Sequence, residues 1–310
     1  LNFVFLFNKQ IYSDMKWQGR RKSSNVEDRR GQSSGGGGGI NPMLLAPLVR
    51  LLFSKAGLVI VAGFFLFMWV TGTNPITLIS QFTGGGQMAQ VTTPYQASAE
   101  EEQLAEFTAV VLAETEDVWH GLMENYREPG LVLFTEGVES ACGFASSATG
   151  PFYCPGDEKV YIDLSFFQDM GKKLGAHGDF AQAYVIAHEV GHHVQRLDGT
   201  LERVQSQRGK LPEAEFNRLM VMLELQADFY AGIWAHHTQK VAKILEPGDL
   251  EEALNAASSV GDDRLQKQAT GRVVPDSFTH GTSEQRARWF KLGFDTGDVS
   301  LGDTFNAQRL

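Results

Sequence analysis

Between residues 102 and 124 the apolar positions Leu104, Phe107, Val110, Val111, Val118 and Trp119 fall mainly three and four apart, the spacing of a helix that buries one side. The stretch 126–130 stops that pattern with Pro129 and Gly130. Residues 131–134 read as a short strand, and residues 159–163 as another, because Val160 and Ile162 alternate with more polar positions. A short helix is expected over 164–174. Asp179 is placed to cap the next helix, whose apolar content makes 181–194 a largely buried rod. The longest helical pattern runs from 211 to 237, with Phe216, Leu219, Met220, Leu223, Ala227, Tyr230 and Trp234 on its packed side. Two more helices are expected near 263–269 and 283–292, the second capped by Ser283. No internal repeat is visible. The pattern predicts a helix-rich α+β domain with a small sheet, beginning near residue 99.

A different pattern occupies residues 51–71, LLFSKAGLVIVAGFFLFMWVT, which carry one charge, Lys55. That length matches the roughly 20 residues needed to cross a bilayer, so one transmembrane helix is expected ahead of the domain. Charge gives it a direction. Residues 1–72 hold nine Lys or Arg against three Asp or Glu, and the remainder holds 18 against 34. Basic flanks stay inside, so residues 1–50 are expected as a cytoplasmic basic and Gly-rich tail, 72–98 as a linker, and 99–310 as the functional domain. The expected localisation is single-pass in a bacterial inner membrane, with the domain periplasmic or extracellular. Residues 1–14 are strongly apolar yet too short to span, and Met15 with the following KWQGRRKS has the form of an alternative start.

Composition narrows the function classes. An apolar share of 43% is that of a folded protein. So acidic a body is a poor nucleic-acid binder, because phosphate recognition needs a basic surface. Cys142 and Cys154 enclose a flexible run of small residues, Gly and Pro, and outside a reducing compartment a disulfide is the favoured state of such a pair; two buried free thiols are the alternative.

The main chemical signal is His188-Glu189-Val190-Gly191-His192. On a helix, a spacing of four puts both imidazoles on one face, one turn apart, where they can grip a zinc ion while Glu189 activates its water. Gly191 costs about 1 kcal/mol of helix propensity and clears space for a close approach. Glu224 and Asp228, again four apart on an expected helix, can address the same site. Glu224 can be the third protein ligand, leaving a position for water, and Asp228 can accept the remaining ring proton of His188.

At this point the chain resembles the neutral zinc metallopeptidase family, and more broadly the zincins whose third ligand is a glutamate. The likeness is carried by MKWQGRRKSSNVEDRRG, ACGFASSATGPFYCPGDEKVYIDLSFF, HEVGHHVQ, LELQADFYAG and SFTHGTSEQRARWFKLG. It implies a zincin-like fold and Zn2+-dependent hydrolysis of peptide bonds in an extracytoplasmic protein or peptide, as by a metalloendopeptidase. In that arrangement His188, His192 and Glu224 hold the metal, Glu189 is the catalytic base and Asp228 the orienting acid. His280 is then a candidate catalytic residue at the oxyanion, and Arg286 a candidate for holding a substrate carboxylate or bracing the acidic pocket. An extended substrate is expected to add to the strand at 160–163. The charged stretch 198–215 is expected to be an exposed connection or a lip over the cleft. His193, His236 and His237 lack ligand spacing and are expected to pack or hydrogen-bond. Two alternatives stay open: a noncatalytic zinc-supported envelope scaffold, and an amide hydrolase acting on cell-wall peptide.

Overall fold

The computed structural model describes residues 15–32 and 95–310. Its helices carry the site. Helix α1 (Ala99–Leu122) starts at Ser98, whose hydroxyl accepts from the Glu101 amide at 3.1 Å, with Glu100, Glu101 and Glu102 placed favourably in the first turn. Helix α2 (Ser165–Asp169) leads through a wider turn, Met170–Leu174, to α3 (Asp179–Leu197). Helix α4 (Thr200–Gln205) gives part of the charged stretch a structure of its own. It is followed by the 30-residue α5 (Glu213–Ala242), then α6 (Asp249–Ser259), α7 (Asp262–Thr270) and α8 (Ser283–Thr296).

Helices α5 and α8 meet backbone to backbone. A Cβ at Gly232 would lie 2.1 Å from the Phe290 carbonyl oxygen, and one at Gly293 would lie 2.2 Å from that of Phe229. Any side chain at either position would push the helices apart, so the two glycines seat α8 on α5 and deliver its first turn to the site. The caps differ in detail from the sequence expectation. Gly178 caps α3 and Asp179 is its first residue, while Thr282 caps α8 in a reciprocal box with Gln285, at 3.1 and 2.8 Å.

The main sheet has the order β1-β2-β6-β5. Its strands are β1 (Val26–Asp28), β2 (Gly130–Phe134), β5 (Phe152–Cys154) and β6 (Lys159–Asp163), and a separate hairpin pairs β3 (Gly137–Ser140) with β4 (Gly143–Ser146). Strands β1, β2 and β6 run parallel, whereas β5 is antiparallel to β6 through Phe152↔Tyr161 and Cys154↔Lys159. Alternation divides the strands between two cores. Leu131, Leu133, Val160 and Ile162 face the helices, and Val132, Phe134 and Tyr161 face the hairpin with Val138, Ala145 and Cys154. The Cys142–Cys154 disulfide is formed, with Cα atoms 5.8 Å apart, and ties the hairpin tip to the edge strand. Closing a loop of this length stabilises by about 3 kcal/mol. Strand β6 has a neighbour on each side, so the expected substrate strand at 160–163 has no free edge, and the edge is β5.

The expected membrane topology is corrected. The span over 51–71 lies outside the described residues, and among those described no helix is long and apolar enough to cross a membrane. The physical reason is in residues 15–32, which pack into one compact unit with residues 96–310 instead of forming part of a separate cytoplasmic tail. Trp17 is buried against Phe107, with ring centroids 5.6 Å apart, and β1 adds a strand to the sheet. The Met15 amide donates to Asp179 at 2.8 Å, and the Lys16 amide to the Ile244 carbonyl at 2.9 Å. The basic residues meet acids of α1: Arg20 with Glu114 at 2.6 Å, Arg21 with Glu116 and Asp117 at 2.8 and 2.7 Å, Lys22 with Glu106 at 2.7 Å. A body built from both 15–32 and 96–310 lies on one side of any membrane. A single crossing between them, with a cytoplasmic N-terminus and a periplasmic domain, is incompatible with this fold. Over the described residues the fold class is therefore α+β with no transmembrane helix, and the expected membrane partner and single-pass inner-membrane localisation fall with it.

Candidate functional site

Helices α3 and α5 cross where Gly191 faces α5. A Cβ there would sit 3.0 Å from the Ala227 carbonyl oxygen and 3.1 Å from its Cα, so the glycine inside the metal motif lets the two helices close up. Their approach brings His188, His192 and Glu224 together, with one donor atom from each within 4.8 Å of the others. His188 Nε2 lies 3.3 Å from one Glu224 oxygen and His192 Nε2 lies 3.4 Å from the other. Two imidazole nitrogens and a carboxylate converging on one point, with a cleft on the open side, fit a divalent zinc ion with room for a further ligand. The expected ligand set is thus assembled in one place.

A buried network stands behind it. The His188 Nδ1–H donates to Asp228 Oδ1 at 2.9 Å, which leaves Nε2 facing Glu224. Asp228 also accepts from Arg286 Nε at 2.8 Å, from Arg286 Nη2 at 2.9 Å, and from the Tyr184 hydroxyl. Tyr184 stands four residues before His188, one turn away on the same face, a spacing that the sequence displayed without its partner. The Arg286 guanidinium is only 4% exposed and turned onto Asp228, so of its two expected roles the geometry favours bracing over holding a substrate.

Electrostatics follow from burial and pairing. Burial disfavours charge on Glu224, but the two imidazoles hold it well below the usual carboxylate range. Burial likewise opposes ionisation of Asp228, and Arg286 with His188 overcomes it. Burial works against the His188 cation too, yet Asp228 and Glu224 push the ring up to about 9. These directions describe a pocket in which Glu224 and Asp228 are ionised and which favours positive charge, as a cation site requires.

The cleft above has a volume of about 410 Å3. Glu189 lines it beside the ligands, and its carboxylate accepts no hydrogen bond from any of the described residues. The edge strand and the turn before it form one wall through Gly150, Pro151, Phe152 and Tyr153. Tyr153 donates to His193 Nδ1 at 2.9 Å, and His193 Nε2–H donates to the Arg127 carbonyl at 2.6 Å. His193 therefore hydrogen-bonds behind the wall, as expected of it. His236 and His237 bond to the Phe294 and Gly297 carbonyls at the end of α8.

His280 lines the opposite side and is 49% exposed. Its loop is clamped by Asp262, whose Oδ2 accepts from the amides of Thr279, His280 and Gly281 at 2.8, 2.6 and 3.1 Å. The ring Nδ1 lies 3.3 Å from Asp262 Oδ1, and this hydrogen bond raises the imidazole's pKa against the cost of burial. Asp262 was not anticipated, because an acid 18 residues from its histidine leaves no periodic trace. Gln195, which accepts from His192 Nδ1–H at 2.9 Å, was written in HEVGHHVQ but had no role.

Comparison with other proteins agrees with this geometry. The chain is 50% identical over 295 residues to "Uncharacterized protein YpfJ" of Escherichia coli (strain K12), covering 94% of this chain and 99% of that one. It is 46% identical over 203 residues to "Uncharacterized protein Rv2575" of Mycobacterium tuberculosis (strain ATCC 25618 / H37Rv), covering 62% and 68%. No solved structure matches the chain. Residues 15–305 match the family described as "Putative neutral zinc metallopeptidase". That match takes in the segment from Met15, both metal helices and α8, and so the chain belongs to this family.

Proposed function

We propose that the protein is a zinc-dependent endopeptidase. The observation that carries this reading is the placement of Glu189, an acid that metal binding does not need, beside the His188, His192 and Glu224 cluster and facing open cleft. A scaffold would have no use for it. A zinc ion held by these three residues supplies Lewis acidity, polarising a carbonyl and lowering the pKa of water. Glu189 takes the proton from the attacking water and delivers one to the departing amine as the carbon–nitrogen bond breaks. His280, held by Asp262, donates toward the oxyanion that forms as water adds. Asp228, Arg286 and Tyr184 keep the His188 ring in register.

Substrate selection follows from the walls. Phe152, Phe166, Val185, Val260 and Leu265 give the cleft apolar surface for a side chain beside the scissile bond. The free edge of β5 offers main-chain groups to an extended peptide. Among the described residues lining the cleft, charge is confined to the metal cluster, Glu189, His280 and the Asp228-bound Arg286. No separate charged group is left to select a chain terminus, which favours cleavage within a chain.

The test is cleavage of a diverse peptide library by the purified protein, with and without chelator, alongside Glu189→Gln. Cleavage that zinc restores and that falls about 100-fold or more in the variant is expected. Cleavage unchanged in Glu189→Gln would exclude it as the base, and full zinc uptake with no cleavage of any peptide would overturn the peptidase reading.

A further inference from the structure

The two histidines are held from behind by different chemistry. His188 donates to an ionised carboxylate, while His192 donates to a neutral amide, Gln195 Oε1, at 2.9 Å. Gln195 is fully buried, three residues after His192 on α3. Its Nε2 donates to the Leu223 carbonyl at 2.7 Å and to Gln226 Oε1 at 3.0 Å, both on α5 on either side of the ligand Glu224. Gln226 in turn donates to the Gly302 carbonyl at 2.9 Å.

This pattern fixes the amide's orientation. Two acceptors face the nitrogen end, so a flipped amide would set its oxygen against two other oxygens in a dry site. With the nitrogen committed to α5, Oε1 faces His192 and requires Nδ1 to carry the proton. The lone pair of His192 is then on Nε2, the atom 3.4 Å from Glu224. The same amide joins α3 to the carbonyl immediately before Glu224, so the direction of one ligand and the position of another depend on one buried group.

We infer that Gln195 is a positioning residue for the metal site, which sets the tautomer and direction of His192 and locks that ring to the helix bearing Glu224. It does so without adding an anion to a site that already holds Glu224, Asp228 and Glu189. The inference rests on the reading of His188, His192 and Glu224 as zinc ligands.

The experiment measures zinc affinity by chelator competition in the full chain, comparing wild type with Gln195→Met, an unbranched replacement of similar length that neither accepts nor donates strongly. The folded fraction is followed by circular dichroism in the same samples. A folded Gln195→Met protein that binds zinc about 10- to 100-fold more weakly is expected, the usual effect of removing a group that orients a metal ligand. Folded variant with affinity within about twofold of wild type would overturn the role. A second measurement needs no variant: in wild-type protein loaded with cadmium, cadmium–nitrogen couplings should identify His192 Nε2 as the bound atom and Nδ1 as protonated. Coupling through Nδ1 would overturn the inference even if Gln195→Met did not fold. Neither readout uses peptide cleavage, so an inactive protein with these metal properties would count against the peptidase reading alone. Wild-type protein that takes up no zinc or cadmium would overturn the metal reading and this role together.

Discussion

Two regions of the molecule use paired charges of similar length to different effect. Behind the metal cluster Arg286 meets Asp228 at 2.8 Å, with side chains 4% and 0% exposed. Along α1, Arg21 meets Asp117 at 2.7 Å, with side chains 49% and 63% exposed. The distances match and the surroundings do not. In the first region, losing one partner strands the other charge where water cannot reach it; in the second, water replaces the lost partner at little cost. The exposed ion pairs of residues 15–32, such as Arg21 with Asp117, therefore choose where that segment lies, while its hold comes from buried Trp17, the main-chain pairing of β1 and the buried Arg30, whose side chain is 4% exposed against Asp28 and Glu102.

The sharpest way to break the contrast is Arg286→Met, which leaves Asp228 without its cation. A loss of about 3–5 kcal/mol in urea unfolding of the zinc-free protein is expected, and a loss below about 1 kcal/mol would place the pair in the same class as the exposed ones. Trp17→Ala should follow at about 3 kcal/mol, with exposure of β1 amides to hydrogen exchange. Unchanged stability there would mean that ion pairs do hold the segment.

Asp262 and His280 lie between the extremes, since one is mostly buried and the other is half exposed. The hydrogen bond to His280 and the amides hold Asp262 below its ordinary pKa in spite of burial, so its contribution is present above the unfolded value and lost as pH falls through the folded one. His280 has the opposite sign: its raised pKa stabilises below the unfolded value and loses that contribution as pH rises through the folded one. Asp262→Asn is accordingly expected to cost about 2 kcal/mol between the acidic carboxyl range and the titration of His280, with the gap closing on the acid side and narrowing on the alkaline side, where the amide bonds remain. A gap constant with pH would contradict the pairing. Least of all, Asp117→Asn should change stability by no more than about 0.5 kcal/mol, an effect that vanishes at about 1 M salt.

What the sequence disclosed follows the same physical division. His188, Glu189 and His192 were readable because a spacing of four has one geometric meaning on a helix, and Glu224 with Asp228 repeated it. The long apolar patterns placed α1, α3, α5 and α8, and the Cys142–Cys154 pair was readable from its small, flexible loop. Residues 20–30 were not, because their basic side chains look like those of a solvated tail until their acids on α1, 71 to 96 positions away, are known. Strands β3 and β4 hid among Gly, Ser and Ala, whose small side chains give no alternation to detect, and β5 is three residues long, too short to show a period. Helix α6 was missed because its short, alanine-rich face buries Ala253, Ala256 and Ala257 rather than large residues. Gln195 was overlooked since its meaning depends on α5 as much as on its own helix.

Strand β1 also governs the order in which this protein can be assembled. Its register partner for Val26 is Leu131, so roughly a hundred residues must follow it out of the ribosome before β1 can pair with β2. Through that interval Trp17 and the edge of β1 wait without a template. Residues 15–32 are thus made well before they can dock, and a chaperone that shields a waiting strand would find its target here.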